Sequence, residues 1–332
     1  GLPLTVAGSL ITLNAAMRLL ASFIAGPTTD KLGRKWPMVI SLVFNGLAYL
    51  AMIPAQTLTT FATIMGLRGL FQPLYRVGAD AMLADLVSKE ERADAYALSR
   101  LSKNVGIALG PALGGILAST SYNIVFTAAA VTSILFSCLI YFFAIETRPN
   151  VNQLEKTSEI KVWGGYHKIF QDKEFLAFLS AFTLTKVSGS ILWVLLAAYT
   201  KENYQISESL YGLIPTTNAL MVVFLQVYVT QRSKNYAPLW VMTLGGFLYG
   251  IGVGSIALGN SFSGFWISMV IVTSGELLIV PTATSYTANL APEDMRGRYM
   301  SMFSLTWGVG TLIGPLLGGF LNDAISPPAM WY

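Results

Sequence analysis

The stretch GPTTDKLGRK at residues 26–35 is a short charged segment between two long apolar runs. It carries the charged side chains Asp30, Lys31, Arg34 and Lys35, and glycine stands at 26 and 33. An apolar run of about 20 residues is long enough to cross the hydrocarbon core of a bilayer as a helix. A charged connection between two such runs therefore indicates a pair of membrane helices that meet at one surface.

The composition supports the same class for the whole chain. Of its 332 residues, 54% are hydrophobic and 11% are charged, whereas soluble domains have about 25% charged residues. An ordinary soluble globular protein is thereby excluded. The composition predicts an all-α polytopic membrane protein, and the runs predict ten spans, at about 5–25, 37–55, 59–83, 96–117, 122–145, 173–199, 208–229, 237–258, 262–287 and 299–321.

Lysine and arginine alternate between the connections. The positive-inside rule assigns the connections rich in these residues to the cytoplasm. These are 26–36, 84–95, 146–172, 230–236 and 288–298. The remaining connections carry almost no positive charge, which makes the predicted topology consistent along the chain.

An internal repeat relates the two halves of the sequence. GIALGPALGG at 106–115 recurs as GTLIGPLLGG at 310–319, an offset of 204 residues, and the same offset pairs Asn14 with Asn218 and Arg92 with Arg296. Repeats in the same orientation occur in transporters built from two pseudo-symmetric bundles. The sequence thus predicts an N-terminal bundle at 1–145, a polar cytoplasmic linker at 146–172 and a C-terminal bundle at 173–332.

The repeat also leaves two spans without counterparts. The span 173–199 pairs with a segment before residue 1, and the span 122–145 pairs with one after the last residue. We therefore expect the ten spans to be helices 2–11 of a twelve-helix protein. The 332-residue chain is expected not to transport by itself, because a cavity without the first helix is open to lipid.

The pattern Gly-x-x-x-Asp-Lys-x-Gly-Arg-Lys at 26–35 resembles the loop signature of the major facilitator superfamily, and the chain is similar to its drug:proton antiporters of bacterial inner membranes. The resemblance implies that Asp30 lies near the positive end of the span 299–321 and that Arg34 reaches Asp85. These contacts would form a conformational latch made of Gly26, Asp30, Gly33, Arg34 and Asp85. The alternative is that the positive charges only set the topology.

The repeated glycine pattern resembles the signature of proton-coupled exporters in this superfamily. Small residues at this spacing let two helices approach closely, and proline weakens a helix locally. The predicted packing seams comprise Gly106, Gly110, Pro111, Gly114, Gly310, Gly314, Pro315 and Gly318. A static close-packed crossing is the alternative interpretation.

Ionisable residues inside membrane helices are costly and tend to face a polar interior. Glu276 is the candidate proton carrier, with Arg68 and Lys186 as further coupling candidates. A permanent ion pair between Glu276 and Lys186 is an equally good interpretation. The helices that line the cavity in the family supply the candidate substrate residues Gln72, Phe71, Tyr75 and Trp193.

The resemblance implies a secondary active transporter that works by alternating access and exports drug-like molecules against protons. A metabolite or organic-anion transporter of the same superfamily is the alternative, favoured by the basic residues Arg18, Arg68 and Lys186. A receptor without transport is a further one. We expect no enzymatic activity, cofactor, metal or nucleic-acid partner. The expected partners are a small-molecule substrate, protons and the lipid bilayer, with the protein acting as a monomer.

Overall fold

A computed structural model describes residues 4–148 and 166–332, and these residues form helices without any β-strand. Ten helices are long, and two short helices, α6 and α8, lie between them. The bounds are α1 Leu4–Leu32, α2 Lys35–Met52, α3 Leu58–Leu86, α4 Arg92–Thr120, α5 Tyr122–Phe143, α6 Tyr166–Gln171, α7 Lys173–Tyr204, α8 Glu208–Tyr211, α9 Leu213–Ser233, α10 Pro238–Ile256, α11 Phe262–Leu290 and α12 Arg296–Ala324. Single 3-10 turns occupy Glu293–Met295 and Pro327–Trp331.

All ten predicted spans are helices, but several extend beyond the predicted ends. The largest difference concerns the charged segment 26–35, most of which is the last part of α1 rather than a loop. Pro27 lies inside this helix, and Gly33, with φ of +93°, is where the chain leaves it. Glycine adopts this left-handed conformation without steric cost. Within the predicted linker 146–172, residues 149–165 lie outside the described residues.

The continuation of α1 through Pro27 depends on a contact from α6. Proline has no N–H, so Phe23 O, four residues earlier, loses its usual helical donor. The hydroxyl of Tyr166 donates to this oxygen at 2.6 Å. Burial raises the pKa of Tyr166 to about 12, so the hydroxyl keeps its proton at neutral pH and remains a donor.

The chain divides into two compact units that differ from a simple division into halves. Unit 1 comprises Gly1–Ser88, Pro111–Leu176 and Thr287–Gly308. In it, α1 packs on α3, and α2 packs on α3 and α5. Its apolar core contains Met38, Met82 and Ile140. The first turns of α12 therefore belong with the N-terminal helices.

Unit 2 comprises Lys89–Gly110, Ala177–Tyr286 and Val309–Tyr332, so it includes α4 from Arg92 to Gly110. Glycines bring α10 and α11 close together: a methyl group at Gly245 would lie 3.0 Å from Gly275 O, and one at Gly252 would lie 2.6 Å from Val272 N. Such contacts between small residues are typical of helix packing in membranes.

Seven helical segments in the described ranges are long and apolar enough to cross a membrane. They are Lys35–Met52, Tyr122–Phe143, Lys173–Tyr204, Leu213–Ser233, Pro238–Ile256, Phe262–Leu290 and Glu293–Ala324. Large apolar side chains on these helices point outward, and Phe142, Phe224 and Trp240 are each more than 70% exposed. A bilayer gives these side chains an apolar environment.

Candidate functional site

The carboxylate of Asp30 lies at the N-terminus of α12, in unit 1. It accepts hydrogen bonds from Gly297 N at 2.7 Å and from Arg298 N at 3.1 Å. The guanidinium of Arg298 adds a contact of 2.8 Å. The first N–H groups of a helix have no partner within it, and this end of the helix dipole is positive. Asp30 therefore joins the end of α1 to the start of α12.

Arg34 is fully buried and has acceptors in three different segments. Its Nε donates to Asp85 Oδ2 at 3.0 Å, and Nη1 donates to Thr29 O at 3.0 Å. Its Nη2 donates to Glu293 O at 3.2 Å. One side chain thereby joins the end of α1, the end of α3 and the turn before α12.

The carboxylate of Asp85 has two partners besides Arg34 among the described residues. Arg296 forms a second ion pair with it, and Thr147 Oγ1 donates to it at 3.1 Å. Removing one partner of a buried ion pair leaves an uncompensated charge and costs about 3–5 kcal/mol. We call Asp30, Arg34, Asp85, Arg296 and Arg298 the Asp30 cluster.

Two glycines permit the close approach at this cluster. A methyl group at Gly26 would lie 2.8 Å from Arg298 Cα and 3.0 Å from Ser301 Cβ. A methyl group at Gly297 would lie 2.6 Å from Asp30 Oδ1. A side chain at either position would separate α1 from α12.

Gly33 has a related role at the start of α2. The carboxylate of Glu146 accepts from Arg34 N at 2.7 Å and from Lys35 N at 3.1 Å. It thus caps the first free N–H groups of α2. A methyl group at Gly33 would collide with this carboxylate, so Gly33 is required for both its backbone angle and its space.

Glu276 lies in a separate network in unit 2 and is 9% exposed. Arg100 Nη2 donates to Glu276 Oε2 at 3.1 Å, and Nη1 donates to Glu276 O at 2.7 Å. Asn218 Nδ2 donates to the same carboxylate oxygen at 3.0 Å and to Thr273 Oγ1 at 2.9 Å. The carboxylate is thereby held by one cation and one neutral amide.

Gln226 completes this network by donating to the backbone carbonyl of Leu277, which has no helical donor because of Pro281. Pro281, inside α11, cannot donate to Leu277 O, and Gln226 Nε2 donates to that oxygen at 3.0 Å. The amide oxygen of Gln226 accepts from Arg100 at 2.8 Å. We call Arg100, Asn218, Gln226, Thr273 and Glu276 the Glu276 network.

The cation that contacts the Glu276 carboxylate in this structure is Arg100, which the sequence analysis did not name. The Lys186 ammonium lies 4.8 Å from the centre of the Phe182 ring instead. The Lys186 backbone packs against α12: a methyl group at Gly310 would lie 2.7 Å from Lys186 O. The structure therefore places Lys186 at the α7–α12 contact.

Arg68 is held by α2, in unit 1. Its Nε donates to Asn45 Oδ1 at 2.9 Å and its Nη2 donates to Tyr49 OH at 2.8 Å. The guanidinium also lies over the Tyr49 ring, 4.2 Å from its centre. These contacts hold the side chain between α2 and α3.

The four candidate substrate residues have different surroundings. Phe71 stacks on Phe44 with ring centres 3.8 Å apart. Tyr75 meets Phe136 edge to face at 5.9 Å. Gln72 is half-buried, and its Oε1 has no hydrogen-bond partner. Trp193 is 41% exposed. Phe71, Gln72 and Tyr75 belong to unit 1, whereas Trp193 belongs to unit 2.

The two glycine seams also differ. Gly310, Gly314 and Gly318 are in close contact with α7: methyl groups there would lie 2.6–2.8 Å from Lys186, Val187, Ser190 or Leu195 atoms. No atom of the described residues lies within 4 Å of a methyl group built at Gly106, Gly110 or Gly114. Pro315 lies inside α12, and the side chain of Pro111 is outside those described.

A further ion pair joins α4 to the end of α9, in unit 2. Lys234, directly after α9, donates to Asp94 in the first turn of α4. The side chains are 35% and 30% exposed. Each charge has the sign that the nearby helix end favours, since anions are stabilised at N-termini and cations at C-termini.

Sequence reasoning missed Glu146, Arg298, Arg100 and Gln226 as functional candidates. Glu146 and Arg100 are far in sequence from their partners, and no local pattern marks them. A signal did exist for Gln226, because a polar amide in an apolar helix requires a partner. In the described part of the chain, no three His, Cys, Asp or Glu side chains lie together as a metal site requires.

Comparison with known proteins agrees with this architecture. A family model described as Major Facilitator Superfamily matches residues 1–188 and 179–332. A Na(+), Li(+), K(+)/H(+) antiporter of Planococcus maritimus is 27% identical, with 94% of this chain and 80% of the relative covered. Multidrug resistance protein 1 of Bacillus subtilis is 24% identical, with 96% and 81% covered.

Among solved structures, the human organic anion transporter MFSD10 superimposes with a TM-score of 0.79 at 20% identity, covering 98% of this chain and 80% of that one. That likeness concerns the fold. The family matches extend from the first residue to the last. The chain belongs to the major facilitator superfamily and is a membrane transporter, not an enzyme.

Proposed function

We propose that this transporter exports amphipathic cations in exchange for protons by alternating access, with Glu276 as the carboxylate that binds either one. The observation that carries the proposal is the Glu276 network: a buried membrane carboxylate that forms an ion pair with the side chain of Arg100. An isolated charge in a membrane helix is costly. Once Arg100 withdraws, the carboxylate must take a proton or another cation.

Competition between these two ligands provides antiport. A protonated Glu276 has no charge with which to hold a substrate cation, and an occupied carboxylate excludes the proton. Binding of one therefore requires release of the other, and a proton gradient drives the substrate in the opposite direction. Such exchange depends on differential binding of the two ligands in two conformations.

The Asp30 cluster is proposed to be the latch that stabilises one of these conformations. Its contacts join α1, α3 and the start of α12 through Asp30, Arg34 and Asp85. Gly26 and Gly33 allow these segments to approach. The α7–α12 contact at Gly310 is proposed to be the close crossing about which helices move.

The relatives support an exchanger in a bacterial membrane. One is named as an antiporter of Na⁺, Li⁺ and K⁺ against H⁺, and another as a multidrug resistance protein. We propose the inner membrane as the location, with the segments 26–36, 84–95, 146–172, 230–236 and 288–298 cytoplasmic. We propose a monomer as the working form.

Export of an organic anion or metabolite is the second candidate function. Arg68 and Lys186 lie in membrane helices and favour an anionic substrate by charge. The contacts of Arg68 with Asn45 and Tyr49 weaken this candidate, since a side chain held by protein groups is less available to a ligand.

The intact protein in proteoliposomes distinguishes the two. A pH gradient is imposed, and the movement of a lipophilic fluorescent cation is compared with that of a lipophilic fluorescent anion. Proton-driven movement of the cation alone supports the proposal. Movement of the anion alone favours the second candidate and contradicts the first.

A further inference from the structure

The guanidinium of Arg100 lies in a set of three oxygens that other helices supply. They are Gln226 Oε1 at 2.8 Å, Glu276 O at 2.7 Å and Glu276 Oε2 at 3.1 Å. Gln226 is on α9 and Glu276 is on α11, whereas Arg100 reaches the set from α4. We call these three atoms the oxygen cage.

The oxygen cage is held in place by contacts that do not involve Arg100. The amide of Gln226 is oriented because its Nε2 donates to Thr230 Oγ1 and to Leu277 O, both at 3.0 Å. The carboxylate of Glu276 accepts from Asn218. These contacts stabilise the positions of the cage oxygens independently of Arg100.

The chemistry of the cage defines what can replace the guanidinium. It contains one carboxylate oxygen and two neutral oxygens, so it requires a cation when Glu276 is ionised. The two neutral oxygens, on Gln226 and on the backbone of Glu276, both accept from one nitrogen of Arg100. Buried acceptors need donors, which a cation with N–H groups supplies and a quaternary cation does not.

We propose that the oxygen cage recognises the protonated N–H nitrogen of a cationic substrate, and that Arg100 is the built-in competitor for it. This inference rests on the proposed function and adds the substrate class: amidinium, guanidinium and primary or secondary ammonium compounds. When Arg100 is in the cage, the apparent affinity for such a substrate is reduced by the fraction of molecules with a vacant cage.

Binding of two matched probes to the purified intact protein tests this inference. Benzamidinium carries N–H donors, and benzyltrimethylammonium has a similar ring and charge without them. Both are titrated by calorimetry at mildly alkaline pH, where few protons compete with the probe. The variant is Arg100→Met, and the control is Arg232→Met, which removes an exposed arginine elsewhere.

Arg100→Met is expected to increase the affinity for benzamidinium on the order of tenfold, which corresponds to a cage that is vacant about a tenth of the time. The affinity of Arg100→Met for benzyltrimethylammonium should equal that of the wild type. Arg232→Met should bind both probes with wild-type affinity. Arg100→Lys keeps a competing cation and should give less gain. The double variant Arg100→Met with Glu276→Gln should lose the gain.

No gain in Arg100→Met, or an equal gain for both probes, would overturn the inference. An equal increase in the affinity of Arg100→Met for sodium ions would also overturn the inference, because it would assign the cage to an inorganic cation. Proton-driven cation export with no change in benzamidinium binding contradicts only this inference. The expected binding change without proton-driven export contradicts only the proposed function.

Discussion

Lys234 and Asp94 form an ion pair that is the charge-reversed counterpart of Asp30 and Arg298. The internal repeat, with its offset of 204 residues, pairs Asp30 with Lys234 and Asp94 with Arg298. In both units the pair joins the end of one helix to the start of another. Thr230 and Lys234 stand in the second half where Gly26 and Asp30 stand in the first. The contact is therefore kept with other residue types, and a search for the same residue types does not find it.

Exchanging the charges of the reversed pair is expected to recover only part of the lost stability, because each charge then lies at the helix end that disfavours it. Lys234→Asp or Asp94→Lys alone places like charges together, whereas the double exchange restores an opposite pair. Because both side chains are about one-third exposed, each single change should cost only about 0.2–1 kcal/mol. Thermal unfolding in detergent and the transport rate measure the effect.

The same exchange at Asp30 and Arg298 serves as the contrast. Asp30 also accepts from the backbone of Gly297 and Arg298, and a positive side chain at residue 30 cannot accept. The double exchange should therefore fail to restore stability or transport. Equal rescue at both pairs would show that the helix N-terminus contributes nothing at Asp30.

Tyr166 is expected to stabilise the protein because of Pro27. Tyr166→Phe removes the donor to Phe23 O, and loss of such a hydrogen bond should cost about 0.5–1.5 kcal/mol. In Pro27→Ala, the new backbone N–H can donate to that oxygen. The cost of Tyr166→Phe should then be smaller, which a double-mutant cycle of unfolding free energies measures.

If Tyr166→Phe lowered the free energy of unfolding equally in the wild type and in Pro27→Ala, the link between Pro27 and α6 would be contradicted. The same reasoning applies to Pro281 and Gln226 in unit 2. Prolines inside membrane helices are tolerated where a neighbouring side chain takes over the freed carbonyl.

The hydropathy pattern predicted the ten helices, and the loop signature predicted that Asp30, Arg34 and Asp85 belong together. Both depend on local or family-level patterns that a sequence carries directly. Arg100 could not be predicted in this way, since its partners on α9 and α11 are more than a hundred residues away. The pairing of Glu276 depends on helix packing, which one sequence does not specify.

The seam on α12 should be intolerant of larger side chains. Gly310→Ala places a methyl group 2.7 Å from the backbone of Lys186, and overpacking of this kind costs about 1–3 kcal/mol. Gly246→Ala is the matched control, because the space beside this helical glycine is open. There alanine should stabilise the helix by about 0.5–1 kcal/mol. Thermal unfolding measures both variants. A change in unfolding temperature of the same sign in both would contradict the account.

The exchange reactions of Glu276→Gln test the central claim most directly. Proteoliposomes with the intact protein are assayed for proton-driven export of a fluorescent cation and, without a gradient, for exchange of labelled against unlabelled cation. Glu202→Gln is the control, since Glu202 is exposed. Unfolding temperatures establish that each variant is folded. The double variant Arg100→Gln with Glu276→Gln is also assayed, because Glu276→Gln alone leaves the charge of Arg100 without its carboxylate partner.

Because Glu276 is proposed to hold either the proton or the cation, the variants are expected to lose proton-driven export, on the order of tenfold or more for a general proton-transfer group, and to lose gradient-free cation exchange as well. The control should keep both activities. Proton-driven export by Glu276→Gln at the wild-type rate would contradict the account and assign proton coupling to another residue.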